Sequence, residues 1–139
     1  MKKGKSILLF LLVFLILMVN IGCSNNKKEE NAVKNITKSN IYKEDELNEA
    51  MDALIQYFEE KFVGVNLIKV SYVGDENKAD IEIYKKEYAV DNLIILNTTF
   101  NTESTIGDIP FDINSEYKDY PWIMVKNEEG KWVVRSWGY

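Results

Sequence analysis

Thirteen consecutive apolar residues, Ile7–Val19, end four places before Cys23, the only cysteine in this chain of 139 residues. The run falls short of the about 20 residues a membrane-spanning helix needs, but it suits the apolar core of an export signal. Lys2, Lys3 and Lys5 supply the basic start of such a signal, and Gly22 offers the small residue a signal peptidase cuts behind. Residues 1–22 are therefore expected to be a leader, removed from the folding problem. A single cysteine also rules out an internal disulfide framework. The chain beyond Cys23 must be stabilised by one hydrophobic core, which a domain of roughly 100 residues can build.

The stretch Asn20-Ile21-Gly22-Cys23 resembles the lipobox of bacterial lipoproteins. In that class the cysteine thiol receives a diacylglyceryl group and becomes the first residue of the mature protein. The chain departs from the pattern at Asn20, where an aliphatic residue is usual and Val19 stands one place too early. The alternative is an uncleaved anchor helix with Cys23 incidental. Two acyl chains make an anchor stable, because each buried CH2 contributes about 0.8 kcal/mol. The expected location is thus the extracytoplasmic face of the cell membrane, with Cys23 lipidated.

Ser24–Asn40 reads SNNKKEENAVKNITKSN. It has no aromatic residue and too little apolar surface to offset its ordering entropy, so residues 23–40 are expected to be the lipidated cysteine and a flexible tether. Without the leader lysines, 14 basic residues face 22 acidic ones, a net charge of −8. Such a chain has no electrostatic reason to bind nucleic acid or anionic headgroups.

Residues 41–139 are expected to form one globular domain. Leu47, Met51, Leu54, Ile55, Phe58 and Phe62 fall on one face of a helix over Lys43–Val63, with Glu44, Asp45 and Glu46 complementing its dipole and Gly64 stopping it. A strand is expected over Val65–Val73, and a short helix within Glu76–Ala89, where a strand also fits. Asn92–Thr102 reads as a strand, with Leu93–Leu96 buried on both faces. Glu103–Asp119 reads as a long loop. Tyr120–Lys126 and Lys131–Trp137 are expected to form a hairpin. This order implies an α+β fold: a long N-terminal helix packed on a curved, mostly antiparallel four-stranded sheet, a cone of the cystatin or nuclear-transport-factor-2 kind.

The helix core Ala50–Phe58, the strand Asp91–Leu96, Phe100, the run Tyr120-Pro121-Trp122-Ile123-Met124-Val125, Trp132 and the ending Trp137-Gly138-Tyr139 carry a likeness to a known family. From Glu44 to Tyr139 the chain resembles domain-of-unknown-function family 4829, small lipoproteins of Gram-positive bacteria. The resemblance implies a small domain without an assigned activity. The chain carries Ser136 where relatives have Asp.

Strand alternation places Trp122 and Met124 on one sheet face and Ile123 and Val125 on the other. It likewise sets Trp132 and Val134 opposite Val133 and Trp137. The hairpin is then apolar on both sides, and the face away from the helix is free to line a pocket or meet a partner. Arg135, the only arginine, should point with Trp137 and could clamp a carboxylate, or pair with an acid of its own fold. Trp122, Trp132, Arg135 and Trp137 are therefore the candidate ligand or partner surface, with core packing the competing account of the tryptophans.

The chain has no histidine, which removes the commonest general base and zinc ligand. Asp108 and Asp112 bracket a loop but match no calcium motif, so no metal or other cofactor is expected. Asp119 or Asp80 could serve as a catalytic acid, yet nothing singles either out, and no nucleophile elbow or phosphate-binding loop is present. These features imply a non-catalytic lipoprotein binding a protein or small molecule. The alternatives are a small-pocket acid–base enzyme and an immunity or inhibitory lipoprotein.

Overall fold

The computed structural model describes residues 32–103, 107–108 and 110–138. Strand β1 (Val33–Ile36) comes first, then helix α1 (Glu44–Lys61) and strand β2 (Val65–Tyr72). A single 3-10 turn at Asp75–Asn77 leads into helix α2 (Lys78–Tyr88). Strands β3 (Leu93–Thr102), β4 (Glu116–Lys126) and β5 (Trp132–Trp137) complete the domain. The five strands form one sheet in sequence order. Strand β1 runs parallel to β2, and every other neighbour pair is antiparallel.

The α+β class and the long amphipathic helix are as expected. Helix α1 begins with Glu44, Asp45 and Glu46, has no side-chain cap, and buries Leu47, Ala50, Met51, Leu54 and Phe58. These spacings form one stripe, and the stripe meets the face of the sheet bearing Val70, Tyr72, Ile94, Leu96, Phe100, Trp122, Met124 and Trp132. Leu93–Leu96 is buried on both sides, as its unbroken apolar run implies. The second face carries Leu93, Ile95, Ile123 and Val125, covered by Ile81 of α2. The segment that fitted either helix or strand is thus a helix. Val90 donates to Lys85 O at 3.0 Å and Ala89 takes a left-handed conformation, which closes the last turn of α2.

Three expectations need correction. The sheet has five strands and is mixed, because Val33–Ile36, assigned to the tether, pairs with β2 from Lys69 to Tyr72. Ile36 packs on the α1-side core, and the edge of β2 satisfies the backbone of β1. One apolar side chain and a ready edge order a segment whose composition alone would leave it unfolded. Second, the loop after β3 ends at Ser115 rather than Asp119, since Asn101 and Phe100 pair with Glu116 and Tyr117. Third, the sheet face away from α1 is covered by α2 at Leu93, Ile95, Ile123 and Val125, so it does not line an open pocket there.

No helix among the described residues is long and apolar enough to cross a membrane. Cys23 and the leader lie outside the described residues.

Candidate functional site

The structure does not gather Trp122, Trp132, Arg135 and Trp137 into one surface. Trp122 is fully buried, and its indole N–H donates to Thr98 Oγ1 at 2.8 Å. Trp132 is 6% exposed, lies under the Lys126 ammonium at 5.0 Å, and has no hydrogen-bond partner for its indole nitrogen among the described residues. Core packing therefore accounts for both. Trp137 is 37% exposed and stacks on Trp122 with ring centroids 5.4 Å apart. Arg135 is exposed on the opposite face, with its guanidinium 5.1 Å from the ring centre of Tyr88 in α2.

A bulge separates Arg135 from Trp137. Ile123 pairs with Ser136, but Met124 pairs with Val134, so Arg135 is the extra residue. One inserted residue reverses the alternation beyond it. Trp137 consequently returns to the α1 side with Trp132, contrary to the simple alternation. There it joins Tyr57 and Phe62 at centroid distances of 6.2 and 6.3 Å.

The acidic candidates are scattered. Asp80 is exposed in the first turn of α2, and Asp108 and Asp112 are exposed in the loop after β3. Asp112 acts through its backbone: its carbonyl accepts from Thr102 Oγ1 at 2.6 Å, and its amide donates to the Tyr117 hydroxyl at 2.9 Å. Asp119 holds a left-handed conformation in β4. Among the described residues, no three His, Cys, Asp or Glu side chains are placed to share a metal ion.

The polar cluster that the fold does assemble lies where the segment before α1 crosses the end of β2. The Ser39 hydroxyl accepts the amides of Ile41 and Tyr42 at 3.0 and 2.9 Å, and donates to Asp75 Oδ1 at 2.7 Å. The Tyr72 hydroxyl donates to the same oxygen at 2.5 Å, and the Asn40 amide to Asp75 Oδ2 at 2.8 Å. The Tyr42 hydroxyl donates to Leu93 O at 2.6 Å. Beside this cluster is a depression of about 260 Å³ lined by Ile36, Lys38, Ser39, Tyr42, Glu44 and Leu47.

The cluster has a defined protonation pattern. Burial, then the hydrogen bond to Asp75, pushes Tyr72 up to about 12, against a smaller opposing effect of Ser39. Burial, then the neighbouring Tyr72 and Asp75, raises Tyr42 further. The Tyr72 hydroxyl, followed by the Asn40 amide and Ser39, holds the Asp75 carboxyl below its usual range. Both phenols thus stay neutral and Asp75 stays charged near neutral pH, with the carboxylate held by donors of its own fold.

None of Ser39, Tyr42, Tyr72 or Asp75 was a candidate from sequence. Gly74-Asp75 reads as a turn, and the φ of +107° at Gly74 shows why glycine is there: a Cβ would sit 3.3 Å from Thr37 Cγ2. The available signal was Ser39, a helix-start residue type just ahead of an acidic first turn.

No family model, curated protein or solved structure matches the chain.

Proposed function

We propose that this protein is an extracytoplasmic lipoprotein, held to the membrane through Cys23, whose domain binds a protein or small molecule without catalysis. The reading draws the anchor from the leader and the lone cysteine. The observation that carries the binding half is the packing on the α1 side of the sheet. The space that a small-pocket enzyme would keep open is filled by Phe58, Phe100, Trp122 and Met124, each 3% exposed or less. The buried polar residues of the described chain are Ser71, Thr98 and Thr102, so no described carboxylate is sheltered there to act as acid or base.

The open depression at Lys38, Ser39, Tyr42 and Glu44 supports the same reading. Its lining combines the Lys38 ammonium and the Glu44 carboxylate with the apolar Ile36 and Leu47, a composition suited to a polar ligand or a peptide side chain.

Two measurements test it. A fatty-acid probe fed to cells should label the wild type and leave Cys23→Ser unlabelled; equal labelling removes the anchor. A photo-crosslinking residue at Lys38 should yield one defined adduct in cells, with none from the same residue at Glu128, an exposed turn position. Indistinguishable patterns at the two sites overturn the binding site.

A further inference from the structure

The depression beside the Ser39–Asp75 cluster is built from three short pieces of chain. Ile36 ends β1, Lys38, Ser39 and Tyr42 belong to the crossing segment, and Glu44 and Leu47 open α1. The fold fixes these pieces. The Thr37 amide donates to Tyr72 O at 2.9 Å, and the Ser39 hydroxyl holds the amides of Ile41 and Tyr42. The backbone of the lining is thus set before any ligand arrives, which lowers the ordering cost of binding.

Most polar groups there are already used. A hydroxyl has one proton and two lone pairs. Ser39 gives its proton to Asp75 Oδ1 and accepts two amides, so nothing is left for a ligand. Tyr42 gives its proton to Leu93 O at 2.6 Å and can only accept. The acids whose charge acts on Tyr42 are held as well. Asp75 has Ser39, Tyr72 and Asn40, Glu46 has Lys126 at 3.1 Å, and Glu82 has Lys85 at 3.6 Å.

Two charged lining groups remain. The Lys38 ammonium and the Glu44 carboxylate are exposed, and among the described residues neither pairs with the other or with any other charge. A positive and a negative group therefore share one depression without neutralising each other, alongside the apolar Ile36 and Leu47.

We propose that this depression takes a free α-amino acid with an aliphatic side chain. The inference rests on the binding reading above and names its ligand. Lys38 takes the ligand's carboxylate, Glu44 and the Tyr42 oxygen take its ammonium, and Ile36 and Leu47 meet its side chain. A simple anion would gain from Lys38 and be repelled by Glu44, and a simple cation the reverse; a zwitterion gains from both. A peptide terminus carries only one of the two charges. The volume of about 260 Å³ lies just below the roughly 300–1,000 Å³ of pockets for drug-sized ligands, which suits a single amino acid. Both protein charges are wet, so the Kd should fall in roughly the millimolar range.

The test uses the chain from Cys23 onward, which keeps every described residue, isotopically labelled for amide NMR. It is titrated in turn with L-alanine, L-valine, L-leucine and L-isoleucine. At least one should shift the amide signals of residues 36–47 saturably. N-acetylation of that ligand removes its ammonium and amidation removes its carboxylate; each should weaken binding about tenfold. The variants should match the blocks: acetylation should no longer matter in Glu44→Gln, nor amidation in Lys38→Gln. Both positions are exposed, so both variants should keep the wild-type spectrum elsewhere. The absence of a saturable shift with all four overturns the proposal, as does equal affinity for the free and blocked forms. A block whose effect is unchanged in its matching variant also overturns it, as do shifts produced by phosphoethanolamine and by none of the four. A defined adduct at Lys38 in cells, without amino-acid binding, would leave the binding site standing and remove the amino acid as its ligand.

Discussion

Trp122 of β4 and Thr98 of β3 are diagonal neighbours on one face of the sheet, both fully buried, with the indole nitrogen donating to the hydroxyl oxygen at 2.8 Å. The pair sits beneath α1, where the Trp122 ring is 4.9 Å from that of Phe58. The largest fully buried side chain therefore has its one polar atom satisfied inside the core. Thr98→Val keeps the shape and removes the acceptor. The expected cost is about 1–3 kcal/mol, the penalty for a buried donor left unpaired, read as a lower urea midpoint. A midpoint equal to wild type would mean the indole finds another partner.

Trp132 gives the contrasting case. Its indole nitrogen is buried without a hydrogen-bond partner among the described residues. Trp132→Phe loses contact area and the stacking of Lys126, but no hydrogen bond. Trp122→Phe should therefore destabilise more than Trp132→Phe by at least about 1 kcal/mol, the net value of one hydrogen bond. Chemical denaturation of the two variants decides the order.

The Ser39–Tyr72–Asp75 cluster predicts two pH limits. Tyr72 is raised from 10 to about 12 in the folded chain, so the folded state holds its proton more tightly than the unfolded state does. Its contribution is present below pH 10 and is lost as pH rises from 10 towards 12. Tyr72→Phe should flatten that alkaline decline. Asp75 is lowered, so its contribution is present above the usual carboxylate value of about 3.9 and is lost as pH falls through its folded value. Wild type and Asp75→Asn should therefore differ at pH 7 and converge in acid. Thermal melts across the pH range check both limits.

Strand β1 is a structural part of the domain, not a spacer. A chain begun at Ser39 keeps the Ser39–Asp75 bonds but loses the pairing of Val33–Ile36 with β2, the packing of Ile36, and the ion pair of Lys34 with Asp52. The surface ion pair contributes little. The lost backbone bonds and apolar burial should lower stability by about 2 kcal/mol or more against a chain begun at Asn31. Equal stability would restore the whole segment to the tether.

The local elements were largely determined by the sequence itself. The spacing of Leu47, Met51, Leu54 and Phe58 can bury only one helical face, and the run Leu93–Leu96 suits only a strand covered on both sides. The α+β class comes from those periods, because they are properties of the chain's geometry. The lone cysteine and the missing histidine narrowed the chemistry in the same direct way. Other decisions required the tertiary structure. Val33–Ile36 is polar enough to remain unfolded alone, and it orders only because β2 presents a free edge and α1 a place for Ile36. The bulge at Arg135 sends Trp137 to the α1 side, although pattern counting sets it on the other, since one unpaired residue costs little where Trp122 offers a ring to stack on. Ser39, Tyr72 and Asp75 meet only because a crossing segment passes the end of a strand more than 30 residues away. Periodicity is local and can be read along the chain; edges, bulges and crossings depend on which partner arrives, and that is settled only in three dimensions.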